Sequence, residues 1–133
     1  MTNIKQKIVL VEDDLSLSRM YQQGLETAGF EVFVAFNGQE AVDAIGREMP
    51  DLVLLDVQMP IKNGYEALAD IRGDEKIRHI PVILFTNLDQ LADIRKGIGL
   101  GAVDYLIKSD FSIKEMVEKV KERLAPGDAS HPH

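Results

Sequence analysis

No cysteine occurs in the 133 residues. That excludes disulfides and thiolate metal sites, and it fits a reducing compartment such as the cytoplasm. Basic residues are few beside acidic ones: 15 Lys and Arg stand against 22 Asp and Glu, a net charge of −7. No basic stripe of the kind a nucleic-acid module needs runs along any segment, so direct nucleic-acid binding is not expected. Long apolar runs are missing too. Nothing approaches the roughly 18 consecutive apolar residues that span a bilayer. Met1-Thr2-Asn3-Ile4-Lys5 lacks the apolar core of a signal peptide, so no membrane association is expected. Internal repeats and low-complexity blocks are also absent.

What is present is the composition of a globular domain, with 45% hydrophobic and 28% charged residues in a length suited to one core. The excess acid has two readings. Solubility is the plain one. Convergence of several acids on one metal ion is the other, and position decides between them.

Apolar runs alternate with helical stripes from end to end, the pattern of an α/β fold with a parallel sheet. Ile8-Val9-Leu10-Val11 is apolar on both faces, as a buried parallel strand should be. Leu17, Tyr21, Leu25 and Ala28 follow at helical spacing, and Gly29 supplies a stop. Phe30 to Phe36 reads as the second strand, and Asn37 with Glu40 opens a helix carrying Ala41 and Ile45. Asp51 to Asp56 is the third strand. A loop from Val57 to Lys62 leads to a second Asn–Glu cap at Asn63 and Glu66, before a helix with Leu68 and Ile71. Pro81 to Thr86 is the fourth strand, its proline at the tolerated first position. Leu91, Ile94 and Ile98 mark a weaker fourth helix, and Val103 to Lys108 makes the fifth strand. Ser112 and Glu115 cap a last helix whose apolar face is Ile113, Met116, Val117, Val120 and Leu124. Residues 125–133 hold Pro, Gly, Ser and His without periodicity and read as a frayed tail.

In an open parallel sheet, ligands bind beyond the carboxyl ends of the strands. Those ends are polar here. The first strand stops at Glu12-Asp13-Asp14, the third at Asp56, the fourth at Thr86 and the fifth at Lys108. Carboxylates about 4 Å apart repel by roughly 4 kcal/mol per pair at an effective dielectric near 20, so such a group wants a cation. Magnesium suits it, as a hard ion that takes one or two carboxylates, phosphate oxygens and several waters. Lys108 then offers a second positive charge, Thr86 a hydroxyl donor, and Asp56 a carboxylate able to form an acyl phosphate.

Val11-Glu12-Asp13-Asp14, Asp56-Val57-Gln58-Met59-Pro60 with Gly64, then Thr86, and Tyr105 followed by Lys108 together resemble the signature of response-regulator receiver domains, the CheY-like family of two-component signalling. The spacings agree: 43 residues from Asp13 to Asp56, 30 on to Thr86 and 22 on to Lys108. The match covers roughly residues 6–124, and residues 1–124 are assigned to one receiver domain. The resemblance implies a doubly wound (βα)5, flavodoxin-like sandwich with strand order 2-1-3-4-5. It implies that Asp56 is the phosphoacceptor, Asp13 a direct Mg2+ ligand, Glu12 a weaker or water-mediated one, and the backbone carbonyl of Gln58 a further ligand. Lys108 would bridge to the phosphoryl group and Thr86 would close on it. Tyr105 would turn inward with Thr86 and alter the surface of the fourth helix, fifth strand and fifth helix. The implied donor is a histidine kinase or histidine phosphotransfer protein, and the implied recipient a downstream protein or an attached output domain. The chain is expected to be either a stand-alone receiver or part of a longer protein. Beyond promoting its own phosphorylation and dephosphorylation, it is not expected to be an enzyme.

Several residues have plainer readings. Asp14 suits the N-cap of the first helix, although Asp13-Asp14 remains an alternative to Glu12-Asp13 as the metal pair. Gly97, Gly99 and Gly101 lack the spacing of a dinucleotide fingerprint and read as helix-stop and turn glycines. His79, His131 and His133 share no ligand spacing, so no zinc is assigned, and Met20, Met49, Met59 and Met116 read as core or loop fillers. The family pattern is broken in two places. Ser109 replaces the usual proline, which favours a trans bond after Lys108, since a non-proline cis bond costs about 3 kcal/mol. Asn87 replaces a small residue beside Thr86. Three rivals follow: a receiver-like binding domain that is never phosphorylated, an aspartate-nucleophile phosphatase, and a flavin module. The phosphatase would need an acid where Gln58 stands. Acidic Glu12-Asp13-Asp14 would repel a flavin phosphate.

Overall fold

Each apolar run becomes a strand, and a helix follows each strand. The computed structural model describes residues 4–125, so of the tail expected at 125–133 all but Ala125 lies outside the described residues. The elements in chain order are β1 (Lys7–Val11), α1 (Leu15–Thr27), β2 (Glu31–Ala35), α2 (Gly38–Glu48), β3 (Leu52–Leu55), α3 (Gly64–Gly73), β4 (Val82–Thr86), α4 (Leu91–Gly99), β5 (Asp104–Ile107) and α5 (Ile113–Leu124), with a 3-10 turn at Lys108–Asp110. All strand pairs are parallel, in the order β2-β1-β3-β4-β5.

The strands are slightly shorter than the apolar runs suggested. Phe30, Phe36, Asp51, Asp56, Pro81, Val103 and Lys108 fall just outside the paired segments. The β1–β3 ladder, for instance, ends at Val11 opposite Leu55. The polar residue that comes next is therefore left on the rim.

Period-2 alternation splits the sheet's side chains between two cores. Val9, Val11, Val53, Leu55, Val82 and Leu84 pack with α2 and α3, through Ala41, Ile45, Leu68 and Ile71. Ile8, Leu10, Leu52, Leu54, Ile83 and Phe85 pack with α1 and α5, through Tyr21, Leu25, Met116 and Val120. Having both faces buried is what makes β1, β3 and β4 read as unbroken apolar runs.

Side-chain caps fix where most helices begin. Asp14, Asn37, Asn63 and Ser112 each accept a bond from a first-turn backbone N–H, and Asn63–Glu66 and Ser112–Glu115 are complete capping boxes. The Asn37–Glu40 box is shifted by one residue, since the Glu40 carboxylate accepts from Phe36 N–H.

Helix α4 departs from the sequence reading. Leu91 and Ile98, two of the apolar residues that marked the helix, are 58% and 47% exposed, and its buried residue is Gly97. Gly97 is thus no helix stop. A Cβ there would sit 2.5 Å from a methyl of Leu84 and 3.0 Å from the Tyr105 ring, so the missing side chain lets α4 lie against the sheet. Gly101, at φ +106, is the turn glycine. Met116 is buried and Met59 packs against the core, whereas Met20 and Met49 are about half exposed.

Candidate functional site

The rim residues converge where the strand order reverses, between β1 and β3. Two backbone bonds hold the central acids in place. Asp56 N–H donates to Val11 O at 3.0 Å, and Glu12 N–H to Ala35 O at 3.0 Å. One oxygen from each of Glu12, Asp13 and Asp56 lies within 4.8 Å of the other two. Glu12 and Asp56 are buried, and Asp13 faces solvent.

Lys108 reaches this group from the end of β5. Its ammonium donates to Asp56 Oδ2 at 2.8 Å and also to Glu12 Oε1. All three side chains of this triad are at most 8% exposed. Asp56 Oδ1 accepts from Val57 N–H at 2.7 Å, and Glu12 Oε2 from Asp14 N–H at 3.1 Å.

Burial pushes the Glu12 pKa above the ordinary carboxylate value, and the bond from Lys108 only partly offsets it. Burial opposes the charge on Lys108 as well. There the bonds to Asp56 and Glu12 win, and its pKa is raised. Glu12 and Asp56 thus share one ammonium, and Asp13 stands beside them as a third carboxylate with no bond to it, so the cluster holds more acid than base. A hard divalent cation supplies that deficit with oxygen ligands. The donor set fits such an ion: three carboxylates, no soft ligand, and one acid open to water.

A family model for the response regulator receiver domain matches residues 8–121. The chain belongs to that family. Among its relatives, the transcriptional regulatory protein CrdR of Helicobacter pylori is 42% identical over 118 residues, 89% of this chain and 54% of that protein. The chain spans about half the length of the curated relatives it matches. Two solved structures share its fold closely. The BeF3-activated N-terminal receiver domain of Klebsiella pneumoniae RstA is 32% identical, with a TM-score of 0.83 over 91% of this chain and 100% of that one. The phosphorylated cyanobacterial phytochrome response regulator RcpA is 29% identical, with a TM-score of 0.80 over 94% of this chain and 98% of that one.

The strand order inferred from the resemblance is the one this receiver domain has. Among the described residues no helix is long and apolar enough to cross a membrane.

The side chains of the remaining expected residues make no hydrogen bond to the three acids in the structure. Asp14 is spent on its own helix, where its carboxylate accepts from Leu17 N–H at 2.9 Å. Thr86, fully buried at the end of β4, accepts a long bond of 3.4 Å from Leu88 N–H. Tyr105 lies on β5 and donates its hydroxyl to Leu88 O at 2.8 Å. Gln58, Asn87 and Ser109 are exposed, and the Lys108–Ser109 bond is trans. His79 is exposed, and the other two histidines lie outside the described residues.

The sequence reading missed what holds the β3–α3 loop. A Cβ on Gly64 would lie 2.2 Å from Asp56 O, so glycine alone lets α3 start against the acid's backbone. Gly38 N–H donates to Lys62 O at 2.8 Å, and a Cβ there would clash with the same carbonyl. Between these straps, Ile61 sits at φ +70 with Lys62 N–H bonded back to Pro60 O. This is a strained γ-turn for a β-branched residue. The glycines were visible in the sequence, but the carbonyls they approach were not.

Proposed function

We propose that this receiver domain is a phosphorylation switch. Asp56 takes a phosphoryl group from a phosphohistidine on a histidine kinase or phosphotransfer protein. The observation that carries this reading is the Lys108 ammonium bonded to both Asp56 and Glu12, with the Asp13 carboxylate alongside. In the transfer, a carboxylate oxygen of Asp56 forms the new P–O bond while the P–N bond to the donor imidazole breaks. The bonding pair returns to the imidazole nitrogen. Lys108 neutralises charge on the phosphoryl oxygens, and Thr86 gives up its weak bond to donate its hydroxyl to one of them. Glu12, Asp13, Asp56 and the carbonyl of Gln58 would hold Mg2+, which when bound supplies the positive charge that a phosphoryl group and three carboxylates require. Water later attacks the phosphorus and the Asp56 carboxylate leaves, restoring the starting state.

Repositioning of Thr86 frees Tyr105 to turn inward, which alters the surface formed by α4, β5 and α5. That surface acts on a downstream protein or an output domain in the same chain. This chain spans only about half the length of relatives that bear a transcriptional regulator's name, which suits the second case. We place this function in the cytoplasm. The chemistry is self-directed and does not turn over a separate substrate. Gln58, two residues past the acceptor, supplies no general acid, which disfavours the phosphatase reading.

Incubation with acetyl phosphate and Mg2+ tests the proposal by mass spectrometry. The chain should gain the mass of one phosphoryl group, and Asp56→Asn should gain none. A gain that survives in Asp56→Asn would place the acceptor elsewhere.

A further inference from the structure

Helix α4 is weakly seated. It buries Gly97, and it leaves Leu91 and Ile98 to solvent. Two tyrosines tie its N-terminal end to the rest of the molecule. Tyr105 from β5 donates to Leu88 O, in the connection that precedes the helix. Tyr65, buried on α3, donates its hydroxyl to Asp93 O in the first turn of α4 at 2.9 Å. The Lys96 ammonium of the same helix lies 4.7 Å from the centre of the Tyr65 ring, a cation–π contact. Burial raises the pKa of both phenols, so both remain hydrogen-bond donors at neutral pH.

Tyr65 has a second property that Tyr105 lacks. It directly follows Gly64, whose backbone presses on the carbonyl of Asp56 and whose N–H donates to Val57 O at 2.8 Å. No slack exists between the acceptor's main chain and the first turn of α3. A displacement at Asp56 or Val57 must therefore be carried into α3, because close-packed interiors shift as units rather than deforming continuously. The Tyr65 ring stands one residue from that contact, and its hydroxyl holds α4.

We propose that Tyr65 is a positioning residue that ties α4 to the backbone of the phosphoacceptor, a link that runs beside Tyr105 and does not pass through Thr86. The inference rests on the reading of Asp56 as acceptor. Occupation of the site moves the β3–α3 junction, and the Tyr65 hydroxyl draws the first turn of α4 with it.

The test uses the isotopically labelled chain with Mg2+, beryllium and fluoride, so that beryllofluoride stands in for the phosphoryl group. Fluorine NMR reads occupancy of the site, and the amide shifts of residues 91–99 read the response of α4. Tyr65→Phe keeps the ring and removes only the hydroxyl. It should bind beryllofluoride as the wild type does, with the same shifts at Val57 and Lys108, while the α4 response falls to about half or less. The side chains of Tyr65 and Tyr105 also interact with each other, so Tyr105→Phe should lower the same response, and the double variant should remove nearly all of it. A tyrosine that served only packing would leave the response intact in Tyr65→Phe. That result, with beryllofluoride bound, overturns this link and leaves the acceptor reading standing. A wild type that binds no beryllofluoride overturns both.

Discussion

Lys108 stands between two carboxylates that would otherwise face each other, uncompensated, across the ends of neighbouring strands. Its side chain and those of Glu12 and Asp56 are at most 8% exposed, so solvent does little to screen the charges. Removing the ammonium therefore leaves two buried acids without their cation. Lys108→Ala should lower the unfolding free energy by about 3 kcal/mol, the usual cost of breaking a buried ion pair. Added Mg2+ should restore more stability to the variant than it adds to the wild type, because the ion would replace a lost charge. Urea unfolding with and without Mg2+ measures both effects, and an equal response to Mg2+ in the two proteins would contradict the shared-charge account. Asp13 and Asp14 differ in what they are free to do. Asp14 caps α1, whereas Asp13 has an oxygen among those of Glu12 and Asp56. The sequence favoured Asp14 as the cap but left Asp13-Asp14 open as the metal pair, since their difference lies in the direction each side chain takes as the chain leaves β1.

Among the elements, those buried on both faces were the most legible. β1, β3 and β4 lie between helical layers, so their alternation disappears into apolar runs that announce both the strands and the polar residues at their ends. The caps at Asn63 and Ser112 were legible because a capping box is a local pattern. Helix α4 was not. Leu91 and Ile98 have helical spacing but face solvent, Ile94 is half-buried, and a close contact to the sheet is made by a glycine against Leu84 and Tyr105. Long-range side-chain bonds to backbone were equally hidden, and Arg72 is the clearest case. Its guanidinium donates to Gly101 O at 2.8 and 3.0 Å, to Ile80 O at 2.8 Å and to Arg78 O at 3.1 Å, which pins the α3–β4 and α4–β5 connections to the end of α3. Nothing in the sequence around residue 72 marks these partners. Arg72→Met keeps much of the apolar stem and strands the part-buried carbonyls of Ile80 and Gly101. It should cost about 2 kcal/mol in urea unfolding, with amide exchange rising first at residues 78–80 and 101. A change within a few tenths of a kcal/mol would mean water replaces the guanidinium without loss.

At the scale of the whole molecule, five parallel strands deliver their ends to one rim, and the excess acid of the composition is partly concentrated there. Of the 22 acids, Glu12, Asp13 and Asp56 converge, and Lys108 joins them from the far edge strand. The opposite strand ends show no comparable gathering among the described residues. Glu12 and Lys108 are 96 residues apart in the chain, so the resemblance of short motifs could nominate the group, but only the sheet's register brings it together. The claim on which the rest depends is that these carboxylates form one divalent-ion site. Calorimetric titration of Mg2+ into the wild type, Asp13→Asn and Asp14→Asn tests it, because asparagine caps a helix as well as aspartate does and spares the fold in the second variant. The account predicts binding weakened at least about tenfold in Asp13→Asn, equivalent to roughly 1.4 kcal/mol, and near wild-type binding in Asp14→Asn. Undiminished binding in Asp13→Asn, with the loss appearing in Asp14→Asn instead, would contradict it.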